Sequence, residues 1–157
     1  MPLLLRAGRG RVRGLHFGTY DYTAALGLSP AEQALDAPGA DAAKDLLQLS
    51  AAGRGVAVSD GSCNVLPVGD RAQVHAAWAL HSRLVDRGTA RGLWQGWDLH
   101  PGQLVSRWAT LSAFHRARLP QVRARLAGTA TGVADEPATQ QMLTAFVDRC
   151  AALGIKE

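Results

Sequence analysis

The chain has 157 residues, 47% of them apolar and 19% charged, with 17 Lys plus Arg against 13 Asp plus Glu and a formal net charge of +4. That length suits one ordinary domain of about 100–200 residues with a sizeable core, and the composition excludes a disordered, collagen-like or disulfide-stapled chain. A complete eight-stranded β/α barrel is excluded too, since it takes about 250 residues and rarely fewer than about 200.

Residues 1–11 form a basic N-terminal segment, in which Leu3-Leu4-Leu5 meets Arg6 at once. The run is too short for a signal-peptide core of about 7–15 residues or a span of about 20, so a cytoplasmic protein without membrane contact is expected. Residues 12–157 carry the fold. Val12 to Tyr20 reads as a first strand, with Asp21 at its end and a helical stretch from Tyr22. Ser29-Pro30-Ala31-Glu32 has the spacing of a capping box, which starts a helix, and Pro38-Gly39 is expected to break it. A helix over Asp41 to Ala52, with Leu46, Leu47 and Leu49 on its apolar side, ends at Gly53.

Gly55 to Ser59 is the second strand, closed by Asp60-Gly61 and followed by a loop over Ser62 to Gly69. Asp70 then caps a helix in which Val74, Ala77, Trp78, His81, Leu84 and Val85 keep a 3–4 residue spacing, with Gly88 as its stop. Gly92 to Trp97 is the third strand, terminated by Asp98-Leu99-His100-Pro101. A long helix carrying Leu104, Trp108, Leu111 and His115 follows, with a break at Pro120 and a short helix to Leu126. Asp135 is expected to cap the last helix, whose stripe is Met142, Leu143, Phe146, Val147, Cys150 and Leu153. The order β-α-β-α-β-α predicts an α/β fold with parallel strands.

In a parallel sheet the strand ends share one edge, where α/β proteins bind ligands. Each strand here ends in a carboxylate: Asp21, Asp60 and Asp98. An Asp in that place also starts helices, but three converging carboxylates without basic neighbours repel one another unless a cation, a proton or a donor neutralises them. Hard oxygen ligands of this kind suit Mg²⁺ or Mn²⁺.

The motif Gly14-Leu15-His16-Phe17-Gly18-Thr19-Tyr20-Asp21, followed by Leu26-Gly27, resembles the metal-binding strand and loop of the HpcH/HpaI aldolase and citrate lyase β-subunit superfamily. Three further segments resemble its later elements in the same order: Val56-Ala57-Val58-Ser59-Asp60-Gly61, Gly92 to Leu104 with its His100-Pro101-Gly102-Gln103 turn, and Val133-Ala134-Asp135-Glu136-Pro137. The resemblance runs from Val12 nearly to the end. It implies a phosphoenolpyruvate/pyruvate-type TIM barrel, of which this chain supplies about three C-terminal βα units plus a C-terminal helix. It also implies a Mg²⁺-dependent carbon–carbon lyase acting on a pyruvate-like 2-oxo acid or an acyl-CoA, with Asp21 as metal ligand.

Such enzymes hold the metal with a Glu as well, and none of the chain's three Glu (Glu32, Glu136, Glu157) is placed to end a strand. The chain alone is therefore expected to be inactive or dependent on a partner. His100 is the candidate for acid–base chemistry, and Asp60, Asp98, Ser62 and Asn64 are candidate substrate contacts. Alternation leaves open which face His16 takes. Cys63 and Cys150 lack metal-ligand spacing and are expected to be reduced. Two other classes compete. One is a non-catalytic barrel remnant that binds a protein partner, or a second copy, through exposed strand edges. The other, less favoured, is RNA binding through Arg6, Arg9, Arg11 and Arg13.

Overall fold

A computed structural model describes residues 1–132 and 134–155. Val133, within one of the matched segments, and Glu157 lie outside the described residues. The chain divides into two compact units, residues 1–107 and 108–157. The first holds a three-stranded, all-parallel open sheet in the order β1-β2-β3: β1 Gly14–His16, β2 Ala57–Ser62 and β3 Gln95–Trp97. Its helices are α1 Pro2–Ala7, α2 Thr19–Ala25, α3 Pro38–Ala51 and α4 Arg71–Ala90. The helix α5 Gln103–Leu126 begins in this unit and ends in the second, which also contains α6 Pro137–Ala152. Among the described residues no helix is long and apolar enough to cross a membrane.

The core of the first unit lies between one face of the sheet and the helices. Leu15 and Phe17 pack there with Leu35, Ala40, Ala43, Leu47, Cys63 and Leu84, and Val58 and Leu80 fill its margin. Leu5 joins them, which ties the stretch expected to be a separate basic segment into the core. In α3 only Leu47 of the three expected leucines turns inward; Leu46 and Leu49 are exposed. In the second unit Leu143, Phe146 and Cys150 form the buried stripe of α6, while Met142 is exposed. Phe146 packs on Phe114 and His115 of α5, with ring centroids 6.5 and 4.9 Å away. Leu111 and His115 are buried as the spacing predicts, but Leu104 and Trp108 are exposed. Both cysteines are free and buried.

Several boundaries differ from the sequence expectation, for identifiable reasons. The first strand is shorter, because only Gly14, Leu15 and His16 pair with β2. Thr19 to Thr23, rich in strand formers, lies in α2, where Thr23 donates its hydroxyl to the Thr19 carbonyl and Thr19 bonds across to Ser62. The second strand is longer. Asp60 and Gly61 sit inside it, since the Asp60 charge is neutralised there by Lys44. Ser29 makes no side-chain cap, and Pro30–Glu32 is a single 3₁₀ turn. Pro38 opens α3 where a break was expected, as Pro2 and Pro137 open α1 and α6; proline's missing N–H costs nothing in a first turn.

The Asp70 cap is present as a full capping box with Gln73, at 2.9 and 2.8 Å. Gly88 lies within α4, and the positive φ of Gly92 marks the actual turn out of it. Helix α5 continues through Pro120. Asp135 does not cap α6; it pairs with Arg125 and leaves Glu136 at the cap position.

Candidate functional site at the carboxyl edge of the sheet

Asp21 sits in the first turn of α2, directly after β1, and is exposed, with no ion pair among the described residues. The other two carboxylates, Asp60 inside β2 and Asp98 just after β3, do have basic neighbours, which corrects the expectation of unneutralised convergence. Asp60 is 7% exposed, and the Lys44 ammonium, wholly buried, lies 3.1 Å from it. The same ammonium is 3.3 Å from Asp41 and donates to the Leu35 carbonyl at 2.8 Å, so its three protons have three acceptors. Asp41 in turn binds Arg87 and Arg91, and Arg91 reaches Asp45 at 2.6 Å. Burial pushes the Asp41 carboxyl up, but hydrogen bonds from Arg87 and Arg91, with Lys44 beside them, outweigh it and hold the group far below the ordinary carboxylate range. Lys44 reaches Asp60 from α3, too far along the chain for local spacing to reveal it, although its pairing with Asp41 is at i, i+3 spacing.

Asp98 is held by Arg107, whose Nε and Nη2 donate at 2.7 to 2.9 Å to both carboxylate oxygens. On its other side the His81 Nε2 lies 3.2 Å away, and His81 Nδ1 lies 2.8 Å from the Ser106 hydroxyl. Burial lowers the His81 pKa, the Arg107 charge lowers it further, and Asp98 only partly opposes them. The Ser106 hydroxyl donates its own proton to the Gln103 carbonyl at 3.0 Å, so in the contact with His81 Nδ1 its oxygen is the acceptor.

This depressed basicity has a measurable consequence. On unfolding, His81 returns to a value near 6.5 and takes up a proton. The stability it contributes is complete above that value and is lost as the pH falls from there through the lower folded value. Urea midpoints measured between pH 7.5 and 5 are expected to fall less steeply in His81→Gln than in the wild type. An equal slope in both would remove His81 from the account.

The remaining candidates lie at the end of β2 and on the loops after β2 and β3, which are fastened together. Ser62 is buried, and its backbone N–H and carbonyl bond the Thr19 hydroxyl at 3.0 and 3.1 Å. Asn64 is exposed, and its N–H donates to the Tyr20 hydroxyl at 2.6 Å. Half-buried His100 accepts from the Gly102 N–H at Nδ1 (3.0 Å), which places its proton on Nε2. The fastener is Gln103, fully buried, which sequence reasoning did not single out. Its carbonyl oxygen accepts from the N–H groups of Leu99 and His100, and its amide donates to the carbonyls of Cys63 and Val65. A glutamine three residues after a strand-ending His-Pro was the available signal. Trp78 adds a bond to the Gly102 carbonyl at 2.8 Å.

Behind this edge Asp60, His81, Arg107 and Gln95 line a cavity with room for roughly one water, too small for a substrate. Asp60 and Asp98 keep their cationic partners within hydrogen-bond distance, and among the described residues no three His, Cys, Asp or Glu side chains form a metal-holding group. This chain's own donor set does not fit a complete Mg²⁺ or Mn²⁺ site; Asp21 alone stands open. A family model described as a domain of unknown function (DUF6986) matches residues 1–157. No curated protein and no solved structure matches the chain.

Proposed function

The chain belongs to that family of unknown function, and from its own residues we propose that it is the C-terminal part of an aldolase- or citrate-lyase-like barrel, a carbon–carbon lyase acting on a pyruvate-like 2-oxo acid or an acyl-CoA. The observation that carries this reading is the strand order. Three parallel strands follow chain order, and their core-facing residues Leu15, Phe17 and Val58 meet residues of α3 and α4. That is the layout of the consecutive βα units from which a barrel is built. In this reading Asp21 is one carboxylate ligand for a divalent cation whose further ligands, like the remaining strands, come from polypeptide outside this chain. Asp60 and Asp98 act as structural anions, and His100 with Asn64 lies on the rim.

The test is a calorimetric Mn²⁺ titration of the chain with pyruvate present, on the wild type and on Asp21→Asn. One carboxylate is expected to give only weak binding, at about millimolar concentration, and the substitution to abolish it. Micromolar binding lost in Asp21→Asn would show a complete site and overturn the need for an outside ligand. No binding, or binding indifferent to the substitution, would favour a second reading, a non-catalytic subunit docking through its free β1 and β3 edges. The pairing of Asp60 with Lys44 and of Asp98 with Arg107 speaks for that second reading.

A further inference from the structure

The edge of the sheet opposite its carboxyl ends gathers the arginines that the proposed function leaves unused. Arg6 is on α1, and Arg9, Arg11 and Arg13 follow on the way into β1. The fold brings a fifth from a later turn. The Ala57 N–H donates to the Arg13 carbonyl at 3.0 Å, so β2 begins beside Arg13. Arg54 precedes that point by three residues, in a reversal between Gly53 and Gly55, both at positive φ. All five arginines are exposed, and among the described residues none of them has an ion pair. Arg11 Nε donates to the Gly8 carbonyl at 3.4 Å, which leaves its charge unneutralised.

No Asp or Glu occurs in residues 1–20 or 46–59, the stretches that build this edge. The five positive charges exceed the net charge of +4, so the rest of the chain is net negative. Other arginines are answered by carboxylates: Asp41 takes Arg87 and Arg91, Asp98 takes Arg107, and Asp135 takes Arg125. Like charges crowded on one edge repel, and a polyanion laid across them relieves that repulsion.

The chemistry of the edge discriminates among polyanions. Every cation on it is a guanidinium, whose planar fork matches two phosphate oxygens. An element that lies on a membrane carries its cations and its apolar face on one helix. Here only Arg6 shares α1 with the exposed Leu3 and Leu4, and the other four arginines stand outside any helix. Residues 1–16 and 46–59 contain no Phe, Tyr or Trp on which bases could stack, so contact is confined to the sugar–phosphate backbone. A single strand bends to meet cations on two separate turns, whereas no helix is offered here to the groove of a duplex.

We propose that Arg6, Arg9, Arg11, Arg13 and Arg54 form a binding surface for the phosphodiester backbone of single-stranded nucleic acid, independent of base sequence. The surface lies apart from the carboxyl edge and requires neither a metal nor Asp21.

The experiment follows the anisotropy of a fluorescein-labelled oligouridylate of about twenty nucleotides, longer than a typical single-strand site, as the 157-residue chain is added. Five phosphate contacts are expected to give a slope of log affinity against log salt of about −3.5, a loss of about a hundredfold between about 50 and 200 mM salt. Arg54→Gln, far in sequence from the other four, is expected to make the slope shallower by about 0.7, and Arg9→Gln with Arg11→Gln by about 1.4. Arg116→Gln, at an exposed arginine of the second unit, is expected to leave it unchanged. No binding at the lowest salt, a slope indifferent to Arg54→Gln, or an equal change in Arg116→Gln would overturn the surface. So would cosedimentation with phosphatidylserine vesicles that excess oligouridylate does not reverse, since the edge would then be a membrane contact.

Discussion

Gly61→Ala is expected to destabilise the fold by about 3 kcal/mol or more, the upper range for overpacking a rigid interior. A Cβ at this position would lie 2.1 Å from the Thr19 hydroxyl oxygen and 3.0 Å from both the Leu35 side chain and the Phe17 carbonyl. None of the three can step aside easily. Thr19 is tied to Ser62 through both bonds of its hydroxyl, Leu35 belongs to the core, and the Phe17 carbonyl is backbone. The measurement is the urea midpoint of Gly61→Ala, Thr19→Ala and the double variant. Thr19→Ala alone is expected to cost about 1–2 kcal/mol, because Ser62 loses its partner. The double variant is expected to be more stable than the sum of the single effects, since the first contact of the new methyl is then gone. Strict additivity would mean that the Thr19 hydroxyl is not what Gly61 makes room for.

Lys44→Met is expected to cost about 3–5 kcal/mol, the penalty for leaving one member of a buried ion pair without the other. The methionine matches the lysine's apolar stem in the core, so the loss isolates the charge. Asp41 keeps Arg87 and Arg91, whereas Asp60, inside β2, retains only the Gly61 N–H at 2.9 Å among its close donors. A second substitution separates charge from packing. Lys44→Met with Asp60→Asn, which removes the stranded charge, is expected to regain at least half of the loss in thermal or urea unfolding. A double variant as unstable as Lys44→Met would assign the cost to packing. Gly88 sets the geometry here, since a Cβ on it would fall 2.7 Å from the Asp60 carboxylate.

Local signals in the sequence reached as far as local physics does. The Asp70 cap with Gln73 three residues on, the inward spacing of Ala77, His81, Leu84 and Val85, and the parallel β-α-β order are each written in a few adjacent residues, and each is present. Boundaries decided by distant partners were not legible. Nothing near Thr19 indicates that its hydroxyl meets Ser62 forty-three residues later. Asp60 reads as a strand terminator until Lys44, from another helix, is seen to cancel its charge.

The site divides in the same way. Of the three carboxylates read as strand ends only Asp98 directly follows its strand, Asp21 lying in α2 and Asp60 inside β2, and the cations that pair with Asp60 and Asp98 could not be read at all. Lys44 falls in a helix whose pattern points to its leucines, and Arg107 lies in the first turns of α5 among Leu104, Val105 and Trp108, with nothing local to mark Asp98 as its partner. Gln103 is an intermediate case, visible in its motif yet silent about the four backbone groups it satisfies.

The succession of β1, β2 and β3 also bears on how the sheet comes together. Each strand pairs only with its neighbour in the chain, so each pairing closes a loop of about forty residues, and no strand is inserted between two already joined. Closing such loops one at a time costs slowly growing amounts of chain entropy, and neither closure has to wait for the other. Assembly can start at either pair and extend outward, and a further strand at either margin adds by the same step without rethreading what is already paired.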